Sequence, residues 1–172
     1  MENQNLKFEL LDILTDNLLT GNNSIQKFVD FDESIEAGII VQRIYKTIRK
    51  SGVRTLCVVI DLPGDISDAK DLSLFFHKIR SSLTKKYAKF PYWKELGTFS
   101  IILCNNSDYE KLKNEIDKLK DISGLHMNVM LGTFLVNIDK LEYTETKTWG
   151  LIFSGDNYII IKQALTNWVN RN

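Results

Sequence analysis

Histidine and cysteine are scarce in this chain of 172 residues, two of each, and its net charge is zero; each lack removes a class of chemistry. His77 and His126 stand so far apart that a zinc site would need distant ligands to converge. Cys57 and Cys104 lie inside apolar runs. No third cysteine is present for a disulfide framework or a thiolate cluster, so both read as small buried hydrophobes. The 22 basic and 22 acidic side chains generate no global field, so a nucleic acid or an anionic membrane would have to be held by a local patch. The opening Met1-Glu2-Asn3-Gln4-Asn5 lacks the basic start and apolar core of a signal peptide, and no apolar run approaches the length of a bilayer span. A cytoplasmic protein with no membrane partner is the expectation. Also missing are the Walker-type Gly-Lys-Ser/Thr, a three-glycine dinucleotide fingerprint after a strand, and the Gly-x-Ser-x-Gly nucleophile elbow.

What is present points to an α/β domain. A hydrophobic fraction of 44% beside 26% charged residues is that of an ordinary globular chain able to bury its own core, and the length suits a single domain over 1–172. The stretch Thr55-Leu-Cys-Val-Val-Ile-Asp61 is continuously apolar up to its last residue. That pattern describes a strand covered on both faces, as in a parallel sheet flanked by helices. Leu-Pro-Gly64 then turns the chain, and Ser67 or Asp68 caps a long helix whose Leu72, Phe75, Phe76, Ile79, Leu83 and Tyr87 recur every three or four positions. Gly97 to Cys104 forms a second strand, Asn105 to Asp108 a turn and cap, and Leu112, Ile116 and Leu119 the stripe of another helix that Gly124 closes. Met127 to Ile138 is a third strand, with Gly132 at a bulge.

Elsewhere the periodicity predicts a first helix on Leu6, Leu10, Leu14 and Leu18, and a short edge strand at Phe28-Val29. A second helix follows, capped by Asp32-Glu33-Ser34 and stopped at Gly52, with Ile35, Ile39, Ile40, Ile44 and Ile48 on its buried face. Trp149 to Phe153 reads as a fourth strand. After it, Ser154-Gly155-Asp156-Asn157 is either a hairpin or a strand-to-helix turn; Ile161, Leu165 and Trp168 share one helical face, which favours a helix from about Ile160 onward. The expected architecture is a three-layer α/β sandwich, with a mostly parallel or mixed sheet of four to five strands and helices on both faces.

If the strands run parallel, Asp61, Asp65 and Asp68 gather at one edge with Asn105, Asn106, Asp139 and Ser154-Gly155-Asp156. Carboxylates placed so can hold Mg²⁺ through a few oxygens and its waters, while helix N-termini receive a phosphate. On that reading Asp61 is metal ligand or general base, Asp65, Asp139 and Asp156 assist, and Asn105, Ser154 and Gly155 approach the anion. The same residue types concentrate in turns and caps whatever a protein does. The segment Val59-Ile-Asp-Leu-Pro-Gly64, followed by Asp68-Ala-Lys-Asp-Leu72, resembles the strand-to-helix region of STAS domains, in which an aspartate-serine pair carries a regulatory phosphorylation. Ala69 occupies the serine's place, so what the resemblance implies is a regulatory interaction domain without that phosphorylation.

Lys70 to Lys94 contains Lys70, Lys78, Arg80, Lys85, Lys86, Lys89 and Lys94 against Asp71 alone. Lys85, Lys86 and Lys89 with Tyr92 and Trp93 combine phosphate contact with stacking surface, the combination that grips single-stranded nucleic acid and also suits an acidic protein. The alternative is a helix with a solvated basic back whose aromatics belong to the core. The leading functional expectation is a non-enzymatic regulatory or protein-interaction module. The alternatives are a Mg²⁺-dependent enzyme on a phosphate-containing substrate around Asp61 and a single-strand binder. Sequence leaves oligomeric state open.

Overall fold

A computed structural model describes residues 2–20, 25–29, 40–48, 54–87, 96–118, 128–147 and 151–171. Along the chain these form α1 (Glu2–Thr20), β1 (Ile25–Val29), β2 (Val41–Ile48), β3 (Arg54–Asp61), α2 (Ala69–Tyr87), β4 (Leu96–Cys104) and α3 (Asn106–Leu112). A 3-10 turn (Ile116–Lys118), β5 (Asn128–Asn137), β6 (Glu142–Lys147) and α4 (Leu151–Val169) follow. Among the described residues the sheet has six strands in sequential order, β1-β2-β3-β4-β5-β6. Its middle is parallel, β3 with β4 and β4 with β5, while β1, β2 and β6 join antiparallel at the flanks.

Helices cover both faces, which makes the α/β sandwich of three layers. On one face α2 and α3 contribute Leu72, Phe76, Ile79, Leu83, Tyr109 and Leu112 to a core shared with Ile44, Leu56, Val58, Ile60, Ile102 and Leu135. On the other, Leu10, Leu11, Ile13, Leu14 and Leu18 of α1 and Tyr158, Ile161, Leu165 and Trp168 of α4 pack on Tyr45, Cys57, Val59, Phe99, Ile101, Leu103, Phe134 and Val136. The alternation of Val58 and Val59, or of Ile101 and Ile102, between the two cores explains why these strands show no polar alternation. Asp68 caps α2, its Oδ1 accepting from the Lys70 and Asp71 backbone N–H groups at 2.8 and 2.9 Å. Asn105 caps α3 in the same way, accepting from Asp108 N–H at 2.9 Å. The bulge expected at Gly132 is present: Thr98 pairs with Met130 and Phe99 with Gly132, leaving Leu131 as the extra residue.

Four readings of the sequence need correction. The helix expected to carry Leu112 and Ile116 on one stripe ends at Leu112, and Ile116 is buried instead from a separate 3-10 turn. Residues 41–48, taken as the second half of a helix, form β2. Ile40, Ile44 and Ile48 are spaced by four, which satisfies a strand's period of two as well as a helix's, and Val41, Thr47 and Ile48 are β-branched. The proposed cap at Asp32-Glu33-Ser34, Ile35 and Ile39 lie outside the described residues, as do Gly52, Leu119, Gly124 and Trp149. Residues 151–153, taken as the end of a fourth strand, open α4, so Ser154 to Asn157 is neither hairpin nor turn. Tyr158, Ile161, Leu165 and Trp168 bury one continuous helical stripe, and that burial outweighs the cost of about 1 kcal/mol for a glycine inside a helix. The strand after β5 is β6, which the charged run Glu142-Tyr-Thr-Glu-Thr-Lys147 conceals.

The core assignment of α1 has a direct test. Leu14→Ala should cost about 2 to 5 kcal/mol, whereas Phe8→Ala, at a residue 61% exposed, should stay within about 0.5 kcal/mol. Urea unfolding of the two variants reads both values, and equal costs would mean that α1 is misoriented.

Candidate functional site at the carboxyl edge of the parallel strands

Parallel strands end together, so β3, β4 and β5 bring Asp61, Asn105 and Asp139 to one edge. The backbone continues the ladder a step beyond the strands, with Leu62 N–H donating to the Leu103 carbonyl at 2.8 Å and Ile138 N–H to that of Cys104 at 3.0 Å. Above this edge lies an open groove of about 260 Å³. Leu62, Leu103, Cys104 and Ile138 supply its apolar surface, Asp61, Asn105, Asp108 and Asp139 its polar rim, and Asn3, Gln4 and Lys7 of α1 its third side.

Asp61 is held from two directions. Its Oδ1 accepts from the Lys7 ammonium at 2.7 Å and its Oδ2 from the Gln42 amide at 2.6 Å. Gln42 reaches it because β2 bulges there: Val41 pairs with Ile60 and Arg43 with Val59, which leaves Gln42 without an opposite residue. Asp139 is divided in the same manner, Oδ1 accepting from the Asn3 amide and Oδ2 from the backbone N–H of Asn106, both at 2.7 Å. The second of these bonds places a carboxylate on the first N–H of α3, a stabilising position for negative charge. Beneath it Asn137 is fully buried and used at both ends. Its amide donates to Asn106 Oδ1 at 3.0 Å and Glu142 Oε1 at 2.8 Å, and its carbonyl oxygen accepts from Asp139 N–H at 3.1 Å. Those bonds fix the tight β5–β6 connection, in which Leu141 takes a positive φ of 54°.

Cys104 borders the groove but is not poised as a nucleophile. Burial, with the nearby charges of Asp108 and Asp139 adding to it, pushes its thiol from 9.0 to about 12, and its Sγ donates to the Val136 carbonyl at 3.3 Å. Burial likewise pushes the Cys57 thiol upward.

The sequence candidates separate into three groups. Asp61, Asn105 and Asp139 share the groove, and Asn106 starts α3 beside it. Asp65 is exposed on the turn after β3, Asp68 serves as the α2 cap, and Ser154, Gly155 and Asp156 lie in the opening turns of α4. Because β6 runs against β5, the chain enters α4 at the opposite edge of the sheet, so these three residues do not meet Asp61. The four carboxylates named for Mg²⁺, Asp61, Asp65, Asp139 and Asp156, are thus not brought to one point. Among the described residues no three His, Cys, Asp or Glu side chains are placed to hold a metal ion. Of the basic segment, Lys85 is exposed on α2 and Lys86 is in its last turn, while Lys89, Tyr92 and Trp93 lie outside the described residues. The described part of that helix buries Phe75, Phe76, Ile79 and Leu83, so its apolar stripe belongs to the core. Sequence reading missed Asn3, Gln4, Lys7, Gln42, Asp108 and Asn137. The available signal was Asn3 and Lys7 at i and i+4, on one face of a helix already recognised.

No protein-family model matches this chain, and neither a curated protein nor a solved structure matches it. The likeness to STAS domains therefore gains no support beyond its own few residues. Among the described residues no helix is long and apolar enough to cross a membrane.

Two outcomes test this geometry. Asp61→Asn should lower stability by about 1 to 2 kcal/mol, because it leaves the part-buried Lys7 ammonium without its counter-charge. The cost should shrink in a Lys7→Met background, and purely additive losses in that double-mutant cycle would mean the two residues do not interact. At alkaline pH the folded values of Cys104 and of Tyr45, whose phenol burial pushes from 10.0 to about 12, lie above those of the unfolded chain. Stability from their neutral forms is complete below the unfolded values and is lost as pH rises toward 12. The melting temperature should fall over that window, and less steeply in Cys104→Ala than in the parent chain.

Proposed function

We propose that this protein is a non-enzymatic interaction module, regulatory in role, that engages a protein partner at the carboxyl edge of β3, β4 and β5. The observation that carries this reading is the employment of the edge carboxylates. Both oxygens of Asp61 and both oxygens of Asp139 already accept hydrogen bonds from the protein's own side chains and backbone. A carboxylate acting as a Mg²⁺ ligand or general base would compete with these bonds for its oxygens and with Lys7 for its charge, and the thiol beside them is kept protonated. Groups arranged this way build a surface rather than a reaction centre.

The groove also has a chemical preference. Asp61, Asp108 and Asp139 face Lys7 on its rim, above an apolar floor of Leu62, Leu103 and Ile138. A lysine or arginine side chain matches both parts, with its aliphatic stem on the floor and its charged head drawn to the rim by the carboxylates' charge. Recognition of a basic residue on a partner protein is the form of binding that this surface favours.

Thermal unfolding against ligands separates the readings. Ligand at about a hundredfold its dissociation constant stabilises by roughly 2.7 kcal/mol, and a protein of this size gains about 2 to 4 °C per kcal/mol. A short arginine-containing peptide should raise the melting temperature, and Asp108→Asn, which keeps a carbonyl for Asn105 but removes a charge, should reduce that rise. A Mg²⁺-linked stabilisation by nucleotides or sugar phosphates that disappears in Asp61→Asn would overturn the proposal in favour of an enzyme. A shift with single-stranded nucleic acid lost in Lys85→Ala would overturn it in favour of the basic helix.

A further inference from the structure

We propose that the first two turns of α1 are a strap that opens and closes over the carboxyl-edge groove while the rest of the helix stays in the core. The helix is divided in how it is held. From Leu10 onward it is anchored by Leu10, Leu11, Ile13, Leu14 and Leu18, all buried against the sheet and α4. Leu11 is clamped in addition by its own carbonyl, which accepts from Tyr45 Oη and from an Arg43 guanidinium N–H, each at 3.2 Å. Among the described residues before Leu10, only Leu6 touches that core, and it is partly buried. Asn3, Gln4, Asn5 and Phe8 are exposed. What ties this end down is polar: Asn3 to Asp139 and Lys7 to Asp61, both at 2.7 Å, and Glu9 to Arg171 at 3.8 Å.

The bonds on the groove side divide along the same line. In each carboxylate Oδ1 faces the strap, toward Lys7 in Asp61 and Asn3 in Asp139. Oδ2 faces the fixed frame, toward Gln42 in Asp61 and the Asn106 N–H in Asp139. Lifting residues 2–7 therefore frees one oxygen on each carboxylate and withdraws Asn3, Gln4 and Lys7 from the groove wall, while the bonds that shape the sheet edge stay in place. Polar pairs that are exposed, as at Asn3, or part-buried, as at Lys7, contribute less to stability than a row of buried leucines, so the two halves of α1 are expected to open at separate free energies. Lys7 would then act as an internal occupant of the site, a cation that must leave before another takes its place. This inference concerns the motion of α1 alone and stands whichever ligand the groove receives.

Native-state hydrogen exchange tests it on the full chain. The amides of Leu6, Lys7, Phe8 and Glu9, which have helical acceptors, should be at least about tenfold less protected than that of Leu14. Replacing both clasps, Asn3→Ala with Lys7→Met, should lower protection at those four amides by about a further tenfold and leave Leu14 unchanged. Lys7→Arg, which keeps a cation in reach of Asp61, should retain the parent pattern. Exchange of Leu6 to Glu9 at the rate of Leu14 in the parent chain, or equal loss at all five amides in the double variant, would overturn the proposal and make α1 a single fixed element.

Discussion

The constraint on which the architecture depends is the handedness of the crossovers between β3, β4 and β5. Parallel strands joined through helices do so with one hand, and here the chain moves across the sheet in one direction twice, from β3 to β4 and from β4 to β5. Both connecting helices must then fall on the same face, and α2 and α3 do. The opposite face of those strands carries Val59, Ile101, Leu103 and Val136 and cannot be left in water. Only segments outside the β3–β5 unit can cover it. The chain uses its two ends, with α1 and α4 packed side by side, and the helix preceding the sheet is thereby drawn across the carboxyl edge.

Apolar burial and polar bonding have separate tasks in that arrangement. Each buried leucine of α1 stabilises the fold by about 1.5 to 3 kcal/mol relative to exposure, so the core decides which face the helix covers and where its axis lies. The polar contacts at its N-terminal end are each several times weaker, and they decide something else: the shape of the groove wall and the charge it presents. Asp61 shows both roles in one side chain. It closes β3, ties the bulged Gln42 to the edge, and through Lys7 connects that edge to α1. A carboxylate placed after a parallel strand, where catalytic carboxylates also stand, here holds two elements together.

Much of the fold was legible because its signals are local. The apolar run ending at Asp61, the stripe from Leu72 to Leu83, the Asn105 cap and the bulge at Gly132 each depend on neighbours in the chain, and each is present. The failures share a cause as well. A spacing of four in Ile40, Ile44 and Ile48 fits either period, so only the pairing of residues 41–48 with β3 decides between strand and helix. Glu142 to Lys147 becomes a strand because Tyr143 packs against the core from α4's side and Lys162 meets Glu145 at 2.7 Å, contacts that no local pattern announces. The groove was half legible for the same reason. Asp61, Asn105 and Asp139 follow from strand ends, whereas Lys7 is 54 positions from Asp61 and Asn3 is 136 from Asp139.

Strand order then determines what kind of site the carboxyl edge can be. Open α/β sheets form their ligand crevice where the strand order reverses and the flanking helices diverge to opposite faces. Among the described residues this sheet has no reversal: six strands follow sequence order, and α2 and α3 leave on one side together. The edge of β3, β4 and β5 alone would be a shelf open toward the second face. α1 turns the shelf into a groove by supplying Asn3, Gln4 and Lys7 as the missing wall. Under the proposed function, a ligand at this edge meets the N-terminal helix as well as the strand ends, and its recognition depends on the position of Lys7 as well as on the carboxylates that line the groove.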